Sequence, residues 1–160
     1  MSKIDEKLSA MGLILPAPMK VPAGVILPFP EVNIRGNRAF VSGAGPLNAD
    51  GSLRGPFGQV GSDVTVDEAK ELAMYTGLAL LGGLKRSLGD LDRITGWCRA
   101  FGMVNTAPGF DQQPAVINGF SELILQVFGD EVGRHARSAV GMAGLPMKIA
   151  VELEAEVIFE

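Results

Sequence analysis

Residues 151–157 read Val-Glu-Leu-Glu-Ala-Glu-Val, a strict alternation of apolar and acidic side chains. Period two is the signature of a β-strand, because successive side chains leave a strand on opposite faces. The stretch therefore predicts a strand with one apolar face to bury and with Glu152, Glu154 and Glu156 projecting together from the other. A fold that accommodates it needs a sheet covered on one side. The plain reading of the acidic side is a solvated face. Three neighbouring carboxylates also repel one another, so whichever is least solvated holds its proton most firmly and could act as a general acid or base.

The cover for such a sheet is written elsewhere in the chain. Thr65-Val66-Asp67-Glu68 is a capping box, and Ala69, Leu72, Ala73, Thr76, Leu80, Gly83 and Leu84 follow at helical spacing up to a stop at Gly89. Pro114 suits a first helical turn, with Val116, Phe120, Leu123, Ile124 and Val127 on one face until Gly129. Strands are expected at 32–35 and 38–42, joined at Gly36-Asn37, and a longer one over Arg93–Asn105. Two strand-like runs then flank a Leu145-Pro146 turn. The order β-β-α-β-α-β-β predicts an α+β fold, a mixed sheet with both helices on one face. Residues 1–31 carry Pro16, Pro18, Pro22, Pro28 and Pro30 and are expected to form a partly irregular extension with a short helix across Ile4–Met11. The Gly- and Pro-rich run from Gly45 to Gly61 reads as loop. A length of 160 residues suits one domain, 1–160.

Composition narrows the function classes. With 47% apolar residues and a mean hydropathy of +0.25, some apolar surface is expected to be covered by other subunits. A net charge of −4 without a Lys/Arg block gives no footprint for nucleic acid. A lone cysteine, Cys98, excludes an internal disulfide and suits a reducing compartment. No apolar run reaches membrane-spanning length, and the opening MSKIDEKLSAMG lacks a signal-peptide core, so the expected location is the cytoplasm, with no membrane partner. His135 is the sole histidine, which gives no credible metal site and leaves it a structural role. Gly43-Ala44-Gly45 lacks a dinucleotide fingerprint, Ser42 and Ser138 lack a nucleophile elbow, and Cys98 reads as packing.

Arg137 stands out because Ala136, Ala139 and Val140 flank it, setting a permanent charge among small apolar neighbours. A planar guanidinium pairs with a carboxylate through two parallel hydrogen bonds, so a small acid would suit it. Ser42-Gly43, at a strand end, allows a ligand or another backbone to approach closely.

Gly36-Asn37, Val41-Ser42-Gly43 with Pro46 beyond, Gly89-Asp90-Leu91, Asn118, Ala136-Arg137-Ser138, Leu145-Pro146 and Val151-Glu152-Leu153-Glu154 together resemble the RidA/YjgF-like family, also labelled endoribonuclease L-PSP. The likeness runs from about Phe29 to Val157, in a longer variant. The resemblance implies a chorismate-mutase-like fold, a homotrimer, and three pockets between neighbouring subunits. It also implies hydrolytic deamination of small 2-imino or 2-enamino acids to 2-oxo acids and ammonia, with no cofactor. Arg137 would anchor the substrate carboxylate and Glu152 would assist water or proton transfer. Ser42 and Gly43 would supply pocket backbone, and Asn118 matches a family asparagine near it.

This chain departs from the pattern at Phe29, where many deaminating members carry tyrosine, at Ala44 in place of glutamine, and at Ala139 in place of cysteine. The run TAPGFDQQPAV from Thr106 is a further difference. A second reading is therefore a trimeric module that binds a small carboxylate without converting it. Ribonuclease activity rests on the family label alone.

Overall fold

The computed structural model describes residues 2–160. Its elements are α1 (Lys3–Ala10), β1 (Val32–Arg35), β2 (Arg38–Ala44), α2 (Val66–Leu88), β3 (Ile94–Asn105), α3 (Gln113–Gly133), β4 (Ala136–Met142) and β5 (Val151–Phe159). Short 3-10 turns at Leu91–Arg93 and Pro146–Lys148 precede β3 and β5. The strands form one five-stranded sheet in the order β1-β2-β5-β3-β4. Only the β3–β4 pair is parallel, so the sheet is mixed, as the element order predicts. Among the described residues no helix is long and apolar enough to cross a membrane.

The alternation in β5 is realised as expected: Val151, Leu153, Ala155, Val157 and Phe159 are buried, while the glutamates between them are not. The buried face packs under α2 and α3. The Thr65–Glu68 capping box starts α2, with the Thr65 hydroxyl accepting from the Glu68 amide and the Glu68 carboxylate accepting from the Thr65 amide. Trp97 of β3 meets Phe120 and Phe128 of α3 edge-on, with centroids 5.8 and 5.6 Å apart. Gly102 lets α3 come down onto β3, since a Cβ there would lie 2.6 Å from two atoms of Ile117.

Three boundaries differ from the sequence reading. Strand β2 runs on to Ala44 across a register shift between Val41 and Ala44, so Ser42-Gly43 is an irregular part of the strand rather than its end. Helix α3 continues to Gly133, interrupted at Gly129, whose φ of 76° only glycine adopts freely. The N-terminal helix is Lys3–Ala10, opened by a Ser2–Asp5 capping box.

That helix is fixed from afar. The Asp92 carboxylate accepts from the amides of Lys3 and Ile4 at 2.8 and 2.9 Å, Lys85 pairs with Asp5, and Lys7 Nζ donates to Val127 O. The proline-rich stretch after it lies along the 45–61 loop, with the Ala17 and Lys20 amides donating to Ala49 O and Gly51 O. Arg86 of α2 holds both Pro16 O and the Glu31 carboxylate.

Gly102→Ala should cost about 1–3 kcal/mol of unfolding free energy, because the added methyl overpacks the β3–α3 contact. Adding Ile117→Val removes one of the colliding atoms and should recover part of that loss. Denaturant melts of the single and double variants check this; a double variant no more stable than Gly102→Ala would contradict it.

Candidate functional site

The candidate residues fall into two groups. The first surrounds Glu152 on the uncovered face of the sheet. The irregular stretch of β2 brings Gly43 so close to β5 that a Cβ on it would collide with Glu152 Oε1. Burial, and then the neighbouring Glu154 charge, push the Glu152 carboxyl above the usual carboxylate range. Glu154 is exposed, whereas Glu156 Oε1 lies 3.1 Å from Arg38 Nη1. Arg38 therefore offsets the outermost charge of the row and leaves the inner two to repel. The Ser42 hydroxyl donates to Pro30 O at 2.8 Å, and the Ser42 amide donates to Glu31 O at 3.0 Å. Phe29, half exposed at 52%, stands over this junction. With Phe40, Ser42, Arg99, Phe101 and Glu154 it lines an open cleft of about 350 Å³.

The second group gathers where β4 meets α3. Arg137 Nη1 donates to Ser121 Oγ at 3.0 Å and Nη2 to Pro114 O at 3.1 Å. Ser121 Oγ also lies 3.0 Å from His135 Nε2, and His135 Nδ1 lies 2.8 Å from Gly133 O. A carbonyl only accepts, so Nδ1 carries the proton, Nε2 accepts from the Ser121 hydroxyl, and the serine oxygen accepts from Arg137. Burial chiefly, and then the Arg137 charge, hold His135 below the usual imidazole range, against the Gly133 bond. The ring is thus neutral at neutral pH, which this chain of donors requires. Burial also lowers the Arg137 pKa, from a value so high that the guanidinium stays charged. Asn118, Ser121, Leu125, Arg134, His135 and Arg137 line a shallow cavity of about 270 Å³. Among the described residues no acidic side chain pairs with Arg137.

Strand parity separates the two groups. Arg137 sits in register with Ala100 of β3, and Ala100 with Ala155 of β5. Ala155 is three positions from Glu152 and therefore points to the other face. The Arg137 side chain accordingly reaches α3, on the helical side, while Glu152 points away from it. One chain unites Phe29, Ser42, Gly43 and Glu152, and separately Asn118 and Arg137. Ala139, in register with Gly102, shares the face of Arg137 and packs against the core.

Ser121 was not singled out by the sequence, and His135 was given only a structural role. Ser121 lies three positions after Asn118, on the same side of α3, and so faces whatever Asn118 faces. His135 touches it and Arg137 does too, a convergence legible only once α3 and β4 are docked. Among the described residues no cluster of three His, Cys, Asp or Glu side chains could hold a metal ion. Cys98 is half-buried, and burial followed by the Glu156 charge raises its thiol pKa, making it a poor nucleophile.

This sheet, its helical cover and the placement of these residues define a YjgF-type α+β protein. The chain belongs to the family described as "YjgF/chorismate mutase-like, putative endoribonuclease", which it matches over residues 5–156. It is 39% identical over 155 residues to Protein TCP17 of Trypanosoma cruzi, spanning 97% of this chain and 93% of that one. Among solved structures it is similar to Atu1372, a protein of unknown function from Agrobacterium tumefaciens, at 37% identity and a TM-score of 0.86, covering 99% and 93% of the two chains. A Shewanella oneidensis protein carrying the same endoribonuclease label matches at 28% identity and a TM-score of 0.87, covering 99% of this chain and all of that one. The YjgF gene product of E. coli, at 18% identity, 91% and 97% coverage and a TM-score of 0.58, shares the fold.

Because folding raises the Glu152 pKa, the folded state binds that proton more tightly than the unfolded chain, and stability is lost as pH rises through the folded value. Glu152→Gln should therefore stabilise the protein at pH 8 and change little at pH 4. Thermal melts across that range test the sign; a variant less stable than wild type at pH 8 would refute it.

Proposed function

We propose that the protein is a hydrolytic deaminase of 2-imino and 2-enamino acids, acting at sites completed between neighbouring subunits of a trimer. The observation that carries this reading is the parity separation of Glu152 and Arg137. Neither half holds the pair: one offers a carboxyl of raised proton affinity on a face whose cations, Arg38 and Arg99, sit beside Glu156 rather than Glu152, the other a guanidinium without an acidic partner. Strand β4 is an edge of the sheet, so the Arg137 cavity beside it can meet the Glu152 face of a second copy. Family membership and the exposed Phe29 and Phe40 on the uncovered side support such an assembly.

In that arrangement Arg137 binds the substrate carboxylate through two parallel hydrogen bonds, and its neutral Ser121–His135 support fixes the plane of the guanidinium. The imine carbon is already electrophilic and needs orientation, a proton and a placed water. Glu152, with its raised proton affinity, protonates the imine nitrogen. As the carboxylate it then takes a proton from the water adding to that carbon. Transfer of that proton to nitrogen makes ammonia the leaving group; as the carbinolamine collapses, its hydroxyl proton returns to Glu152, and ammonia and the 2-oxo acid leave. Phe29 brings no hydroxyl to this step, so the proton traffic rests on Glu152. Asn118 borders the Arg137 cavity, and the Ser42-Gly43 backbone borders the carboxyl of Glu152.

The second reading, a carboxylate-binding module, draws on the same Arg137 and differs only at Glu152. For the deaminase, Arg137→Ala should lower kcat/KM at least 100-fold toward imino acids generated in situ. Glu152→Gln should lower kcat by a similar factor while ligand affinity stays within about threefold. Imine loss with trapping of the 2-oxo acid measures the first, and calorimetric titration with the 2-oxo acid measures the second. Wild type that gives no acceleration over buffer, yet binds the acid through Arg137, would establish the module instead.

A further inference from the structure

The contacts among Ser121, His135 and Arg137 allow more than the support of a guanidinium. A serine or threonine inside a helix commonly returns its hydroxyl to the carbonyl one turn back. Thr76 of α2 does so, donating to Leu72 O at 2.8 Å. Ser121, within α3, instead turns its hydroxyl to His135 just ahead of β4, with Oγ 3.0 Å from Nε2.

The imidazole is set to receive that proton. Its Nδ1 lies 2.8 Å from Gly133 O, which fixes the tautomer and leaves Nε2 the acceptor. The ring stands edge-on to Phe120, with centroids 5.4 Å apart. Burial and the Arg137 charge favour its neutral form, the one a general base needs. Arg137 Nη1 then donates to the same serine oxygen at 3.0 Å. A positive charge there favours the alkoxide over the hydroxyl, and a donor bonded to the nucleophile also reaches an oxyanion forming two bonds away. Nη2 is engaged by Pro114 O, but each terminal nitrogen carries a second N–H. The charged residues lining the cavity, Arg134 and Arg137, are both cations, and Asn118, one turn before Ser121, adds an amide. Nucleophile, base, orienting carbonyl and oxyanion donors thus converge on one cavity. Its shallow volume of about 270 Å³, with Leu125 the one apolar side chain in its wall, suits an acyl group of a few carbons.

We propose that Ser121 and His135 form a nucleophile–base dyad that hydrolyses short-chain carboxylic esters, with Arg137 holding the oxyanion. Ser121 Oγ bonds to the ester carbonyl carbon as its proton passes to His135 Nε2, and Arg137 holds the oxygen that becomes negative. Collapse of the tetrahedral adduct breaks the ester C–O bond. The alcohol leaves with the proton from His135, and the acyl group stays on Ser121. Water then adds to the acyl carbon and gives a proton to His135, and Ser121 departs with that proton as the acid is released. Every group comes from one chain, so the activity rests neither on the deaminase reading nor on contact with a second subunit.

The test follows steady-state hydrolysis of 4-nitrophenyl acetate beyond the first equivalent. In parallel the protein is labelled with a fluorophosphonate and the modified residue is located by mass spectrometry. Wild type should turn over the ester and carry the phosphonyl group on Ser121. Ser121→Ala should abolish both signals, and His135→Gln should slow both about 100-fold, within the usual contribution of a general base. Labelling should be at full rate at pH 7 and fall in acid, as the imidazole takes up a proton. Ser121→Cys, of nearly the same size, should lose the phosphonyl label and take an acetyl group from the ester at position 121, a result that stands even where Ser121→Ala fails to fold. Ester hydrolysis unchanged by Ser121→Ala, or no label on Ser121, would overturn the proposal. Labelling of Ser121 that His135→Gln leaves undiminished would overturn it too. Imine turnover is read separately on wild type, so the deaminase reading stands or fails independently.

Discussion

Everything at the candidate site follows from the parity of β5. Its apolar residues are committed to the core under α2 and α3, and that commitment drives Glu152, Glu154 and Glu156 onto the opposite face. A slip of one residue would bury three carboxylates and expose five apolar side chains, a change far larger than the marginal stability of a domain. The register is therefore rigidly specified, and with it the position of the carboxyl against Gly43. The same parity, carried through β3 to β4, places Arg137 among the helices. Glu152 and Arg137 are held on opposite faces by the sheet itself.

The surroundings of the two groups are complementary in a way that favours binding over self-neutralisation. Arg137 is steadied by neutral partners, a serine hydroxyl and a backbone carbonyl, which orient the fork without consuming its charge. An acidic neighbour would have stabilised the free protein while competing with any carboxylate ligand. Burial, and then the charge of the neighbouring Glu154, raise the proton affinity of Glu152. Removing the remaining water around both groups by subunit contact would strengthen each tendency.

Much of the fold was legible because its signals are local. The β5 alternation, the Thr65 capping box and the helical spacing from Ala69 to Leu84 are each complete within a few turns or residues. What escaped reading depends on contacts far apart in the chain. The continuation of β2 past Ser42 is imposed by pairing with β5, and the extension of α3 beyond Gly129 runs through a residue that ordinarily ends a helix. Arg137, Glu152, Ser42-Gly43 and Asn118 were drawn from motifs, and their division into two half-sites follows from register alone. Ser121 and His135 carry no motif; their meaning comes from the angle at which α3 crosses the sheet.

The distant anchoring of α1 sets an order of events. Its amide partner Asp92 lies 88 and 89 residues downstream, and Lys7 reaches a carbonyl 120 residues away. Strand β5, the central hub of the sheet, follows every other strand in sequence. A nascent chain leaving the ribosome thus exposes three helices and four strands before the piece that joins them exists, and closes its loops late. Until that strand emerges, the apolar faces of its neighbours have no complete core to enter, the condition in which transiently exposed surface invites aggregation.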